Sequence, residues 1–528
     1  MQRNYVVPVW AGAVTGLVAA GVALGTALLV SGFVRLEAFP VLAVGDATVD
    51  VTPAPIKDWA ISTLGESDRA VLVAGVLVVL AGFAAFIGVQ AGRRLAWGLA
   101  GLGLFGAIGI LAVLTRPDAR LTDVLPTLVG VAAGAGALTW LTRRSTRPAD
   151  STGPLVEHSA ERPAVMWPGG APAVFDRRRL LTGVTGSVVV AGASALIGRE
   201  IGGRRTVDAA RTRVALPAPR FPAKPLPAGA DLGIKGLTPF VTSNEAFYRV
   251  HTALVVPQVD PAAWKLRIHG MVDRPIEVTY AELLKMPLTE ADITLTCVSN
   301  EVGGPLVGNA RWLGVRMAEM LRRSGVRADA DMLLSTSSDG FTCGTPLDVV
   351  MDGRDALFAI AMNGEALPVE HGFPVRQVVP GLYGYVSATK WVVDVKVTRF
   401  DRDEAYWTPR GWAAQAPIKT QSRIDLPRAG DTIKPGRTAI AGVAWAQHTG
   451  VDAVEVRIDR GEWRQARLAQ VPGPDTWRQW AFDWDATPGE HTVEVRATDA
   501  AGRTQTERRT RPTPDGASGW HTITVTVA

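Results

Sequence analysis

Three observations predict a three-part chain: about five transmembrane α-helices, then an α+β domain, then an all-β sandwich. Residues 1–199 are dominated by long, nearly charge-free apolar runs. The middle of the chain mixes strand-like alternation with helix-like spacing, separated by turn signals such as Asp339-Gly340, Asp352-Gly353 and Asn363-Gly364. The last segment alternates apolar and polar residues cleanly between glycines and prolines.

A chain of 528 residues exceeds one globular domain. The formal net charge of +5 is small for this length, and the Arg and Lys residues are scattered. No basic stripe interleaved with aromatics is present, so nucleic acid is not an expected partner. The two cysteines, Cys297 and Cys343, exclude a disulfide-dense scaffold and a four-cysteine zinc or iron–sulfur site. A single disulfide between them, or one cysteine used as a metal ligand, both stay open.

The apolar runs cover residues 9–34, 70–90, 95–114 and 121–141, with a fifth at 180–198 flanked by Arg177, Arg178, Arg179 and Arg199. Each is close to the roughly 20 residues that span a bilayer, which favours membrane helices over a buried helical core. Arginine placement orients them. Arg143, Arg144, Arg147, Arg162 and Arg177 to Arg179 lie between the fourth and fifth runs, and Arg93 and Arg94 between the second and third. The loop after the first run carries Glu37, Asp46, Asp50, Asp58, Glu66 and Asp68 instead. The positive-inside rule then places the N-terminus and the 146–179 linker in the cytoplasm, and everything after Arg199 outside. Arg116 and Arg120 fall on the predicted outer side and dissent. Asp176-Arg177-Arg178-Arg179-Leu180-Leu181 reads either as an internal twin-arginine export signal or as a stop-transfer cluster. The expected divisions are 1–145 for four spans, 146–179 for an Arg-rich linker, 180–199 for the fifth span and 200–238 for a Pro-rich extended tether. A catalytic domain follows at 239–420, then a sandwich at 421–528.

Within 239–420, residues 292–299 alternate as a strand with Ile293, Leu295 and Cys297 on one face. Residues 312–321 have helical spacing through Leu313, Met317, Met320 and Leu321. No Gly-x-Gly-x-x-Gly follows a strand, so a Rossmann domain is unsupported. The strands predicted at 453–459, 479–485, 491–498 and 520–527 suggest a seven-strand, immunoglobulin-like sandwich. Its His448, His491 and His521 are isolated and read as surface or satisfied histidines.

The segment richest in chemistry is Thr294-Leu295-Thr296-Cys297-Val298-Ser299-Asn300-Glu301-Val302-Gly303-Gly304. A cysteine ends a strand and the chain enters a glycine-rich loop, where backbone can approach a ligand closely. A thiolate suits a transition metal, and one suffices when a cofactor supplies the other ligands. A small buried core cysteine is the plain alternative. Phe247-Tyr248-Arg249-Val250-His251, His371-Gly372-Phe373-Pro374-Val375-Arg376, Val379-Pro380-Gly381 and Lys390-Trp391 add cations and imidazoles near glycines. That set suits a large anionic cofactor. Cys343, in Gly340-Phe341-Thr342-Cys343-Gly344, matches no metal motif and reads as structural.

With Gly308-Asn309-Ala310-Arg311-Trp312-Leu313-Gly314, these motifs resemble the sulfite oxidase family of molybdenum enzymes, from about residue 240 to the end of the chain. The resemblance implies a molybdenum–molybdopterin cofactor bound by an α+β sulfite-oxidase-like domain. It makes Cys297 the molybdenum ligand. His251, His371, Arg376 and Lys390 become pterin and phosphate contacts, with Ser387 beside them. Tyr248, Ser299 and Asn300 fall inside the matched motifs and join the cofactor contacts. Arg249 matches an arginine near the substrate oxyanion, and the sandwich resembles the family's dimerisation domain, implying a homodimer.

The departures bear on substrate. Sulfite-oxidising members carry an arginine pair shortly after the position of Asn300, where this chain has Glu301-Val302. Residues 406–412 lack a clear match to the family's active-site tyrosine. A less charged S-oxide or N-oxide is therefore expected at least as much as sulfite. No fused haem-binding domain is expected, so electrons would pass to or from a separate carrier. Two classes remain: a membrane-anchored, extracytoplasmic molybdenum oxidoreductase performing two-electron oxo transfer, or a catalytically inactive, membrane-tethered binding module.

Overall fold

The computed structural model describes residues 7–52, 68–116, 119–148, 173–204, 207–253 and 255–528. They form two compact units: Met1–Thr206 with Ala253–Val255, and Val207–Thr252 with Val256–Ala528.

The first unit is helical: α1 (Val9–Phe33), α2 (Pro40–Val51), α3 (Asp68–Arg93), α4 (Leu95–Leu114), α5 (Leu125–Arg144) and α6 (Arg177–Arg204). All but α2 are long and apolar enough to cross a membrane, as the hydropathy predicts. The sequence reading missed α2. It is too short for a window of about 20 residues, and it forms because Ala43 packs on Ala112 and Val113 of α4. The arginine cluster lies inside the first turn of α6 rather than ahead of it. Of the charges used for orientation, Asp58, Glu66 and Arg162 lie outside the described residues.

Helix α1 packs against α3, α5 and α6. A Cβ on Gly16 would sit 1.9 Å from the Ala84 carbonyl oxygen, and one on Gly25 would sit 2.5 Å from that of Ala191. Without a hydrophobic drive between helices in lipid, such backbone approach is how membrane helices gain packing. The two dissenting arginines have local work. Arg116 donates to the Glu37 carbonyl at 2.6 Å, and the Arg120 N–H donates to buried Asp123 at 2.9 Å, which also pairs with Arg35.

In the second unit the Pro-rich stretch around Phe221 runs as a strap against the strand Leu288–Thr296. The Phe221 N–H donates to Leu288 O at 3.0 Å, and the Glu290 N–H donates back to Phe221 O at 2.9 Å. Ala230, Leu237 and Phe240 are buried. Prolines prevent a continuous ladder here, but the apolar residues between them still find grooves.

The domain packs two sheets around one core, one antiparallel and one mixed. Its strands are β1 (Lys265–Gly270), β2 (Ile276–Thr279), β3 (Leu288–Thr296), β4 (Val307–Arg316), β5 (Met332–Ser337), β6 (Thr342–Pro346), β7 (Leu357–Met362), β8 (Arg376–Val378) and β9 (Val392–Thr398). One sheet runs β7-β4-β3 with β8 and Glu365–Ala366 on β7, all antiparallel. The other runs β2-β1-β9-β5-β6, with β9 parallel to β1. Leu266, Ile268, Val315, Phe358 and Val395 meet between them.

The helix expected across 312–321 is corrected. Trp312 and Leu313 lie on β4, and helix α7 spans only Met317–Ser324. Strand β4 is buried on both faces, so its near-continuous apolar run has no period-two signal to distinguish it from a helix.

The terminal unit is all-β as predicted, with β10 (Gln421–Leu426), β11 (Gly436–Trp445), β12 (Val451–Ile458), β13 (Arg478–Ala486), β14 (Gly489–Asp499) and β15 (His521–Val527). Sheet β10-β11-β13 faces sheet β15-β14-β12, each extended by short strands. Ile440, Trp480, Val454, Val493 and Val525 fill the space between them.

Candidate active site

Strand β3 delivers the chain to Cys297, one residue past its end. The following loop is closed on itself. The Cys297 N–H donates to Leu306 O at 3.0 Å, the Asn300 N–H to Cys297 O at 3.0 Å, and the Leu306 N–H to Asn300 Oδ1 at 2.8 Å. Asn300 is therefore a staple of the loop that follows Cys297. Gly303 takes φ +82°, which favours glycine, while Glu301 is exposed.

The Cys297 thiol is buried and unpaired with Cys343, so the disulfide left open by the sequence does not form. Burial pushes the thiol up, opposed by hydrogen bonds from Ser299 and by the Lys390 ammonium. The protein thus keeps a proton on sulfur while placing donors and a cation ready to stabilise the thiolate, and a bound metal ion would displace that proton.

Beside it the structure assembles the other predicted residues. His371, 1% exposed, uses Nε2 against the Asn244 carbonyl oxygen at 2.8 Å. Burial, helped by Lys390 and Arg376, drives its imidazolium down to about 3. A neutral ring donating through Nε2–H leaves Nδ1 as an acceptor, and Nδ1 is buried with no partner. Arg376 stacks over Trp312 at 5.0 Å and donates to His371 O at 3.1 Å. Its buried Nε has no partner, and burial pulls the guanidinium down to about 10. Lys390 donates to Glu370 O at 2.8 Å. Tyr248 stacks on Phe247, and burial raises its phenol, with Cys297 and Arg376 close enough to act on it. His251 meets Trp391 edge-on at 5.6 Å.

The remaining two stand differently. Arg249 is half-exposed and pairs with Glu370 at 2.9 Å. Ser387 is fully buried and turns its hydroxyl toward the Leu382 and Tyr383 carbonyl oxygens, at 3.2 and 3.0 Å, holding a turn.

The residues fit a large anionic cofactor. A buried guanidinium without a carboxylate and a buried imidazole acceptor without a donor are costly alone and are satisfied by phosphate oxygens and ring N–H groups. Among the described residues no cluster of three or more His, Cys, Asp or Glu could hold a metal, so a metal at Cys297 would need its other ligands from a cofactor.

Sequence reasoning missed Asn244, which sets the His371 tautomer, and Glu370, which touches both Arg249 and Lys390. It also missed Trp312 beneath Arg376 and Tyr383, whose phenol is raised by burial and by nearby Cys297. The aromatic segment from Tyr406 to Trp412 instead clusters with Phe341 and Tyr385. The isolated histidines of the sandwich are satisfied as expected: His448 by Asp475, His491 by Asp459, and His521 by the Ile424 N–H.

Residues 253–407 match the family described as oxidoreductase molybdopterin binding domain. An uncharacterized oxidoreductase of Bacillus subtilis, YuiH, is 32% identical over 167 residues, covering 32% of this chain and 81% of its own length. The chain belongs to the sulfite oxidase family of molybdopterin-dependent oxidoreductases. Sulfite oxidase of Gallus gallus is 29% identical over 304 residues, covering 48% of this chain and 65% of its own. The human mitochondrial sulfite oxidase is 28% identical, and the match spans 55% of its length. The chain thus matches only part of the sulfite oxidases themselves. The sulfane dehydrogenase SoxCD of Paracoccus pantotrophus aligns with TM-score 0.49 at 24% identity, over 55% of this chain and 84% of its own. Family membership implies the molybdenum–molybdopterin cofactor.

Proposed function

We propose that this protein is a membrane-anchored oxidoreductase that carries out two-electron oxo transfer on a small sulfur- or nitrogen-oxo substrate outside the cytoplasmic membrane. The observation that carries it is the pairing of a loop-stapled thiol with a buried, uncompensated acceptor and cation at His371 and Arg376. The bound molybdenum centre supplies oxo transfer and the storage of two electrons. The chain's own groups bind and orient. Cys297 ligates, and Arg376, Lys390, His251 and His371 hold phosphate and pterin, with Tyr248, Ser299 and Asn300 shaping the wall. Arg249 faces the substrate side, with Glu370 partly offsetting its charge. That offset, together with exposed Glu301, favours a substrate less charged than sulfite. Sulfite oxidation proper is the second reading, on the strength of the sulfite oxidase relatives.

Electrons pass to or from a separate carrier. The division at 239–420 and 421–528 separates cofactor domain from immunoglobulin-like module, the latter offering a homodimer surface. The arginine distribution supports an outside C-terminus.

Purified protein should contain molybdenum, and a substrate screen with a redox dye should find turnover. Protein that carries pterin and metal but reduces or oxidises nothing would favour the inactive binding module. Alkaline phosphatase fused after Arg199 should be active, and activity only of a cytoplasmic reporter there would reverse the topology.

A further inference from the structure

Strand β3 is an edge strand: β4 pairs with one side of it, and among the described residues no full strand pairs with the other. An open edge leaves main-chain donors and acceptors unmatched and lets the strand end fray. Phe221 of the strap satisfies the edge at Leu288 and Glu290. Near Cys297 the partner is the C-terminal sandwich. The Thr294 N–H donates to Asp475 O at 2.9 Å, and Trp477 N–H donates to Thr294 Oγ1 at 2.7 Å. Buried Gln447 donates through Nε2 to Thr294 O at 3.1 Å and to Thr296 Oγ1 at 3.0 Å.

The sandwich also grips the loop beyond the thiol. Arg423 donates to Gly304 O at 3.0 Å, while Asp425 pairs with its Nε at 2.6 Å and Thr238 accepts from its Nη2 at 3.1 Å. The His521 ring, fixed by the Ile424 N–H at 2.9 Å, lies against Gly303 so closely that a Cβ there would come within 2.3 Å of it.

We infer that Gln447, Arg423 and His521 are positioning residues: the sandwich completes the edge of β3 and clamps the 297–306 loop, thereby aiming the Cys297 sulfur. This rests on the reading of Cys297 as metal ligand. On this reading the sandwich acts through the strand end and loop that carry Cys297.

The test uses full-length protein in detergent. In the cofactor-free form, the rate of Cys297 alkylation is measured by mass spectrometry, with Cys343 as internal control. In the loaded form, the Mo(V) paramagnetic resonance signature is recorded. Gln447→Leu and His521→Ala should each raise Cys297 alkylation roughly two- to tenfold, the factor expected when a local closed state loses one hydrogen bond or packed contact. Cys343 alkylation and Tm should hold, and the Mo(V) signature should shift. Unchanged alkylation in Gln447→Leu and His521→Ala overturns the clamp. Raised alkylation with an unchanged Mo(V) signature supports the clamp on the loop but overturns aiming of a ligand. Full activity in Cys297→Ser separately overturns the ligand reading and leaves the alkylation result standing.

Discussion

The two thiols occupy two kinds of interior. Both are buried and neither is oxidised. Cys343, within β6, is surrounded by neutral groups: its sulfur lies 4.0 Å from the Thr345 hydroxyl, and burial pushes it up to about 11. Cys297 sits at a strand end, in a stapled loop, with Ser299 donors and the Lys390 ammonium opposing the effect of burial. Burial alone makes a cysteine a small hydrophobe. A metal ligand needs an environment that can accept the thiolate once a cation arrives.

The sharpest way to break this comparison is to exchange sulfur for oxygen at each position. Cys297→Ser should keep much of the cofactor, held through His371, Arg376 and Lys390. It should lose more turnover than the roughly 10–100-fold typical of removing an outer partner of a metal site, because a hydroxyl is a hard, weakly acidic donor. Cys343→Ser should be nearly silent in dye-coupled activity. Equal losses in the two variants would erase the distinction.

A second experiment sharpens the charge side. Arg376→Met keeps the contact with Trp312 but removes the buried cation that lacks a carboxylate. Cofactor content should fall by roughly 10–100-fold under limiting supply, while the cofactor-free protein becomes no less stable. The stability follows because an uncompensated buried charge is costly in the absence of its anion. A destabilised cofactor-free variant with normal loading would show that Arg376 is a structural strut.

The smallest effect is alkaline. Cys343 has a folded-state pKa above its unfolded value, so the unfolded chain loses this proton first as pH rises. Its contribution is complete below about 9, falls between about 9 and 11 by up to about 1.4 kcal/mol per pH unit, and is flat above. Denaturation midpoints of Cys343→Ser should therefore converge on those of the parent, or pass them, across that window. A parallel pair of curves would show that the thiol is not held neutral.

The five long apolar helices could be read from residue type alone, because each is an unbroken, nearly charge-free run of the length and polarity that a bilayer would require. Cys297, His371, Arg376 and Lys390 were found because local motifs carry them, and all four lie near one another as expected. Strand β4 was misread as helix because both of its faces are covered, which removes the period. Asn244 meets His371, and Glu370 meets Lys390, through main-chain carbonyls, which no side-chain pattern announces.

By itself the sequence determined the five long apolar helices and the alternating strands of the C-terminal segment, and it marked the motifs around Cys297, His371, Arg376 and Lys390, since each depends on local composition, alternation or motif. Tertiary structure decided what surrounds them. It turned the Pro-rich tether into a strap along β3, left that strand an edge, and brought Gln447, Arg423 and His521 from more than a hundred residues downstream to its Cys297 end. Edge pairing and close approach depend on which surfaces meet in space, and no linear spacing encodes them.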